Sequence, residues 1–275
     1  MSDTAIDVGF PQVPRTVGTG TARVLRVVAP LLVAAVLIGV WELWTKVGNV
    51  SHFLLPTPTA VFSNMVHETD IIFPAAWITI KETLEGFTIA ALSGVGLAVA
   101  IAAFKPIRLT IYPILVGSQV IPKIAIAPVI LILFGLGHTS RIIIIVSLTF
   151  FPIVISTVVG LQSVEPTKIH LARSLGAGGI KTFLKIRIPQ SLPDMFGGLK
   201  LAATRAVGGA LVSEYITPGP GLGRVILLAS SELHPQLSLA CIGYLIMIGL
   251  ALFFVVTSAE RFLTPWAASS RNASH

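Results

Sequence analysis

The sequence is short of charge. Only 11% of its 275 residues are Asp, Glu, Lys or Arg, while 54% are hydrophobic and mean hydropathy is +0.88. A soluble domain carries about 25% charged residues, so a water-facing surface cannot be covered here. That excludes a soluble globular enzyme, a disordered tail protein and a nucleic-acid binder using the net +7 for phosphates. Cysteine is nearly absent: Cys241 stands alone in an apolar run, which rules out an internal disulfide and a cysteine metal cluster. The six histidines are scattered without metal-ligand spacing, so no metal site is expected. There is no Gly-x-x-x-x-Gly-Lys-Ser/Thr, and therefore no nucleotide site of that kind. Paired acids and nucleophile constellations are missing too, leaving an integral membrane enzyme without support, and no internal repeat is visible.

What is present is long apolar runs with 24 glycines and 18 prolines, both tolerated in membrane helices. At about 20 residues per crossing, the runs predict an all-α polytopic membrane protein with six transmembrane helices. They are 27–44, 86–104, a proline-broken third span over 109–140, 142–164, 196–216 and 235–259. Residues 1–24 are expected as an N-terminal tail, 25–261 as the membrane domain and 262–275 as a C-terminal tail. The run after Arg26 ends in bulky Trp41 and Trp44 instead of a small-residue cleavage site, so an uncleaved span is expected over a signal peptide. Basic residues fix the orientation. Arg15, Arg23 and Arg26, then Lys105 and Arg108, then Lys168, Arg173, Lys181, Lys185 and Arg187, then Arg261 and Arg271 fall in alternate connections. The opposite connections hold only Lys46, Lys81, Arg141 and Arg224. The positive-inside rule then puts both termini in the cytoplasm. Segment 51–83 is expected outside the bilayer, with Thr59 capping a short interfacial helix through His67 and Val61, Phe62, Met65 and Val66 at helical spacing.

The cytoplasmic connection 163–193 is too long for a plain linker and has structure of its own. Pro166 and Thr167 open a helix carrying Ile169, Leu171, Ala172 and Leu175, and Gly176 stops it. A second, amphipathic helix from Ile180 to Ile188, with Lys181, Lys185 and Arg187 on its wet side, ends at Pro189. Either this hairpin lies on anionic headgroups or it packs against a partner. His170-Leu171-Ala172, Gly176, Ile186, Ile188 and Pro189 resemble the Glu-Ala-Ala, Gly, Ile-x-Leu-Pro loop of ABC importer permeases. His170 stands for the Glu, Leu171 for the first Ala and Ile188 for the Leu. Similarity to the taurine, alkanesulfonate and nitrate branch extends through Leu55-Pro56-Thr57-Pro58, Gly86-Phe87, Phe134-Gly135-Leu136-Gly137, Phe150-Phe151-Pro152-Ile153, Gly221-Leu222-Gly223 and Leu263-Thr264-Pro265-Trp266.

The resemblance implies a type I importer permease fold whose coupling residues are His170, Leu171, Ala172, Arg173, Gly176, Ile186 and Pro189. It also implies a small anionic solute of the sulfonate, taurine or nitrate type, delivered by an extracytoplasmic binding protein. Two separate ATPase subunits would hold the ATP and Mg, the chain itself having no cofactor and no enzymatic role. A second copy of the chain, membrane lipid and a prokaryotic inner membrane complete the setting, with no nucleic-acid partner. Polar groups within spans are pathway candidates because ionisable residues there cost about 2.5 to 3.5 kcal/mol. They are Ser118, Gln119, Lys123, Thr149, Ser156, Arg205, Glu214 and Tyr215. Snorkelling for Lys123, pairing of Glu214 with Arg205 or Lys123, and interhelical hydrogen bonds for the rest are the alternatives. Gly219, Gly221 and Gly223 are expected to form the turn between spans five and six. An ATPase-independent secondary transporter or channel is the rival function; it leaves the Ala172, Gly176, Pro189 spacing unexplained.

Overall fold

A computed structural model describes residues 19–48, 51 and 55–266, with side chains described from Val28 onward. The calls on residues 1–18 and 267–275, including Arg15 and Arg271, lie outside the described residues. The chain divides into two units, 1–59 and 60–275. In the first, α1 (Thr19–Val47) contains the apolar stretch Val28–Val47, so residues 19–24, assigned to the tail, are already helical. Glu42 near its end bonds Lys46 (2.7 Å) and accepts from both the backbone N–H (3.1 Å) and the hydroxyl (2.9 Å) of Thr59. Helix α2 (Pro58–His67) thus starts one residue before the expected cap: Pro58 opens it, needing no N–H partner, and Glu42 serves Thr59.

In the second unit Val61 and Met65 of α2 pack on a core with Ile72, Leu222 and Cys241, while Phe62 and Val66 remain exposed. Helix α3 (Thr69–Ala103) runs unbroken for 35 residues, which corrects the expected start at Gly86. At 1.5 Å per residue it is roughly 50 Å long, well beyond a hydrocarbon core of about 30 Å. Lys81, Glu82 and Glu85 interrupt its apolar pattern without interrupting the helix. Phe104 adopts an extended conformation and ends α3; α4 (Lys105–Gly117) follows, with Pro106 in its first turn. The expected proline break is found at Ile121-Pro122. Beyond it, a 3₁₀ segment (Lys123–Ile126) leads into α5 (Ala127–Phe134), and the two arms are bent by 93°.

Helix α6 (His138–Gln162) matches the fourth span. Next come α7 (Pro166–Ser174), the short α8 (Gly179–Thr182), a π-helical turn over Phe183–Arg187 and α9 (Ile188–Ile216). The second loop helix therefore does not end at Pro189. It runs through the π turn into the fifth span, with Pro189 in the first turn of α9, where a missing N–H costs least. An unexpected α10 (Leu222–Ser231) follows the glycine turn, and α11 (Pro235–Leu263) carries the sixth span to Leu263, past its expected end at 259. Among the described residues four helices are long and apolar enough to cross a membrane, or five with the bent pair. The remaining predicted span, α9, has 29 residues but carries Asp194, Lys200, Arg205 and Glu214. It packs on α6 above all and also on α11, α3 and α10. Small residues permit that approach: a Cβ on Gly198 would lie 2.6 Å from the Ser156 Cβ and 2.9 Å from the Pro152 carbonyl.

Candidate functional site

Three regions gather the chemistry-bearing side chains. The first is α7 with its turn. The Ala177 N–H donates to the Ala172 carbonyl (2.9 Å) and the Gly176 N–H to the Arg173 carbonyl (3.0 Å), a Schellman closure. Gly176 has φ of 79°, so the sequence stops the helix there with the residue that enters the left-handed region without steric cost. Ala172 faces inward, whereas His170, Leu171, Arg173 and Leu175 face out. Leu171 is 62% exposed and Leu175 79%, and Ile180 and Leu184 extend this apolar surface. Ile186 and Pro189 are half-buried at the root of α9. There they line a hollow of about 590 Å³ with Lys168, Lys185, Gln190, Pro193 and Trp266. A neighbouring hollow of about 520 Å³ lies between Phe104 at the end of α3 and Ile169, Arg173, Phe183 and Arg187.

The second region is one open face formed by the 3₁₀ break and α9. The Lys123 ammonium lies 4.6 Å from the centroid of the Phe151 ring on α6. Arg205 stands exposed near the middle of α9, between Gly198, which packs on Ser156, and Gly209, which packs on Ile145, and so close to the level of Phe151. Leu201, Thr204, Gly208 and Tyr215 share the exposed stripe of Arg205 at helical spacing. Gln119 is exposed, and Ser118 donates back to the Leu115 carbonyl (2.7 Å). Two candidates are corrected. Thr149 is fully buried and bonded to the Ile145 carbonyl (2.8 Å) of its own helix, and Ser156 is packed under Gly198. Both hydroxyls serve helix packing.

The third region is a buried polar network that the sequence reading largely missed. Glu214, 0% exposed, accepts from Thr79 Oγ1 (2.6 Å) and from the Gly223 N–H (2.6 Å); Thr79 in turn accepts from the Leu222 N–H (3.0 Å). Glu214 therefore does not pair with Arg205 or Lys123, the pairing that the sequence offered beside a gating role. Arg141, 3% exposed, donates through Nη1 to Glu82 (3.0 Å) and to the Pro220 carbonyl (2.9 Å). Its Nη2 reaches the Pro218 carbonyl (3.2 Å) and its Nε the Thr217 hydroxyl (2.7 Å). The glycine turn is thus fastened from below, with φ of 147° at Gly221, where any Cβ would collide with the Glu214 carboxylate. His138 at the start of α6 pairs with Glu85 (2.9 Å) beside Glu82. The available signal was position: Arg141 abuts a long apolar run, where a charge demands a buried partner.

Residues 92–265 match the family described as binding-protein-dependent transport system inner membrane component. A probable ABC transporter permease protein of Haemophilus influenzae is 30% identical over 84% of this chain and 95% of its own. The riboflavin transport system permease protein of Chloroflexus aurantiacus is 30% identical, covering 83% and 86%. The taurine transport system permease protein of Escherichia coli is 27% identical, covering 84% and 87%. Among solved structures, the inward-facing MetNI methionine ABC transporter superimposes with a TM-score of 0.62 at 16% identity, covering 72% of this chain and 98% of that one. At that identity the likeness speaks for the fold.

Proposed function

Since the chain belongs to the family of binding-protein-dependent transport system inner membrane components, an all-α type I ABC importer permease, we propose that it is the membrane-spanning subunit of an ATP-driven importer for a small anionic solute. The solute is of the sulfonate, taurine or nitrate type, handed over by an extracytoplasmic binding protein, and ATP and Mg are held by two partner ATPase subunits. The setting is a prokaryotic inner membrane, with both termini cytoplasmic and two copies of the chain around a two-fold axis. Names of relatives that mention taurine and aliphatic sulfonates support the solute class.

One observation carries the coupling role: a short helix closed by a left-handed glycine presents two leucines, Leu171 and Leu175, to a side where none of the described residues covers them. Exposed large apolar side chains at a fixed turn mark a protein contact. The mechanism follows from continuity. A partner gripping α7 moves the turn at Gly176; α8, the π turn and α9 form one connected run, so the displacement reaches the face that bears Arg205. Two ATPase subunits closing on each other would draw two such runs together, which is why two copies are needed. Gly176→Val tests this reading. A β-branched residue at φ of 79° distorts the turn, so the variant should remain in the membrane yet lose ATPase copurification and uptake. Unchanged ATPase recovery and uptake would refute the coupling role.

A further inference from the structure

Resting on the permease reading, we propose that Lys123 and Arg205 together form a two-cation binding site for the sulfonate head of the solute, backed by the Phe151 ring. Both residues lie on predicted spans, where a single ionised side chain already costs about 2.5 to 3.5 kcal/mol at insertion. Gly198 packs on Ser156 and Gly209 on Ile145, which sets Arg205 of α9 close to the level of Phe151 and its lysine, and no carboxylate lies within ion-pair distance of either cation among the described residues. The buried charges of the spans have partners: Arg141 has Glu82, Lys200 has Glu260 (2.8 Å), and Glu214 has Thr79 and Gly223. Lys123 has an aromatic face in place of an acid.

A partner copy does not supply the missing carboxylate. A two-fold axis along the membrane normal brings equal heights together, so a second Lys123 and a second Arg205 arrive at this level. Asp194, the acid on the same exposed stripe of α9, lies three turns below Arg205. In such a pair the partner would add cations at this height and no acid, which favours an anion. The two side chains divide the work. Arg205 offers a planar fork that matches two oxyanion oxygens, and Lys123 offers a point charge. Phe151 keeps the lysine from folding away by holding its ammonium over the ring face. The lysine's place in a 3₁₀ break between Pro122 and Pro128 fixes its backbone while sparing it a helical neighbour on the open side. An uncharged heterocycle such as riboflavin, carried by one of the relatives' systems, gains nothing from this arrangement.

Equilibrium binding of radiolabelled ethanesulfonate to the purified permease–ATPase complex, without binding protein, tests the proposal. The parent complex should bind it, with riboflavin unable to compete. Lys123→Gln and Arg205→Gln should each weaken binding about tenfold or more, as expected for loss of a charge-assisted contact, and Lys123→Arg should retain it. Both Gln variants should still copurify with the ATPase. Failure of the parent chain to copurify with any ATPase would sink the permease reading itself. Intact complexes that do not bind ethanesulfonate, that bind it equally after either Gln substitution, or that lose it to riboflavin would overturn the two-cation site alone and return Lys123 to a snorkelling side chain.

Discussion

At the scale of single residues, Arg141 is held on every side of its guanidinium. It spends its guanidinium on Glu82, on Thr217 and on two carbonyls of the glycine turn. Removing one partner of a buried pair leaves an uncompensated charge, which typically costs about 3 to 5 kcal/mol. Arg141→Met should therefore lower the thermal unfolding midpoint in detergent sharply, and adding Glu82→Gln should restore part of the loss. An additive double variant would show that the two side chains are not coupled. Gly221 makes a second case. Alanine there must adopt φ of 147° against the Glu214 carboxylate, so Gly221→Ala should destabilise by about 1 to 3 kcal/mol; wild-type stability would mean the turn relaxes freely. Glu214 was legible as an acid near the end of the fifth span, but its partners were not. Thr79 is 135 residues away and sits in segment 51–83, which the sequence places outside the bilayer and not in a span. Pairing across that distance depends on how α3 and α9 pack, which no local pattern encodes.

At the scale of elements, the apolar runs announced the membrane helices, and proline announced the bend at Ile121-Pro122. Two readings failed for one physical reason. Lys81, Glu82 and Glu85 on α3, and the prolines at 189 and 193 on α9, were taken as ends of apolar segments. Each helix continues because its packing outweighs the local breakers: Glu82 is paired with Arg141 inside the fold, and Pro189 sits in the first turn of α9, where its missing N–H costs least. Helix α10 was hidden for a similar reason: ten residues are too few for a span signal, and its anchor is the packing of Leu222 and Ile226 on α3 and α11. Helix α7, by contrast, was fully legible, since its start, its apolar positions and its glycine stop are all local. Its exposed leucines yield a prediction. Leu171→Ala combined with Leu175→Ala removes side chains that are mostly exposed among the described residues, so stability should move by no more than about 0.5 kcal/mol. ATPase affinity should fall about tenfold or more if these two are anchors of the contact. A binding loss accompanied by unfolding, or no binding loss, would contradict that role.

At the scale of the whole molecule, one chain provides one α7 and one open face on α9, and both are incomplete as they stand. Among the described residues the apolar leucines of α7 lack a cover, and the stripe of Leu201, Thr204, Arg205, Gly208 and Tyr215 faces outward from a helix packed elsewhere on α6, α11, α3 and α10. A pathway lined by that stripe requires a second wall, and closed two-fold pairing is the commonest way for identical chains to supply one. ATPase subunits that close on each other need two gripping points, one per copy. The account therefore stands or falls on composition of the assembled complex. Native mass measurement of the detergent-solubilised complex, purified through this chain, tests it most directly. The expected result is two copies of this chain with two copies of one ATPase chain. This chain alone, a single copy, or a single copy beside a different membrane subunit would contradict it.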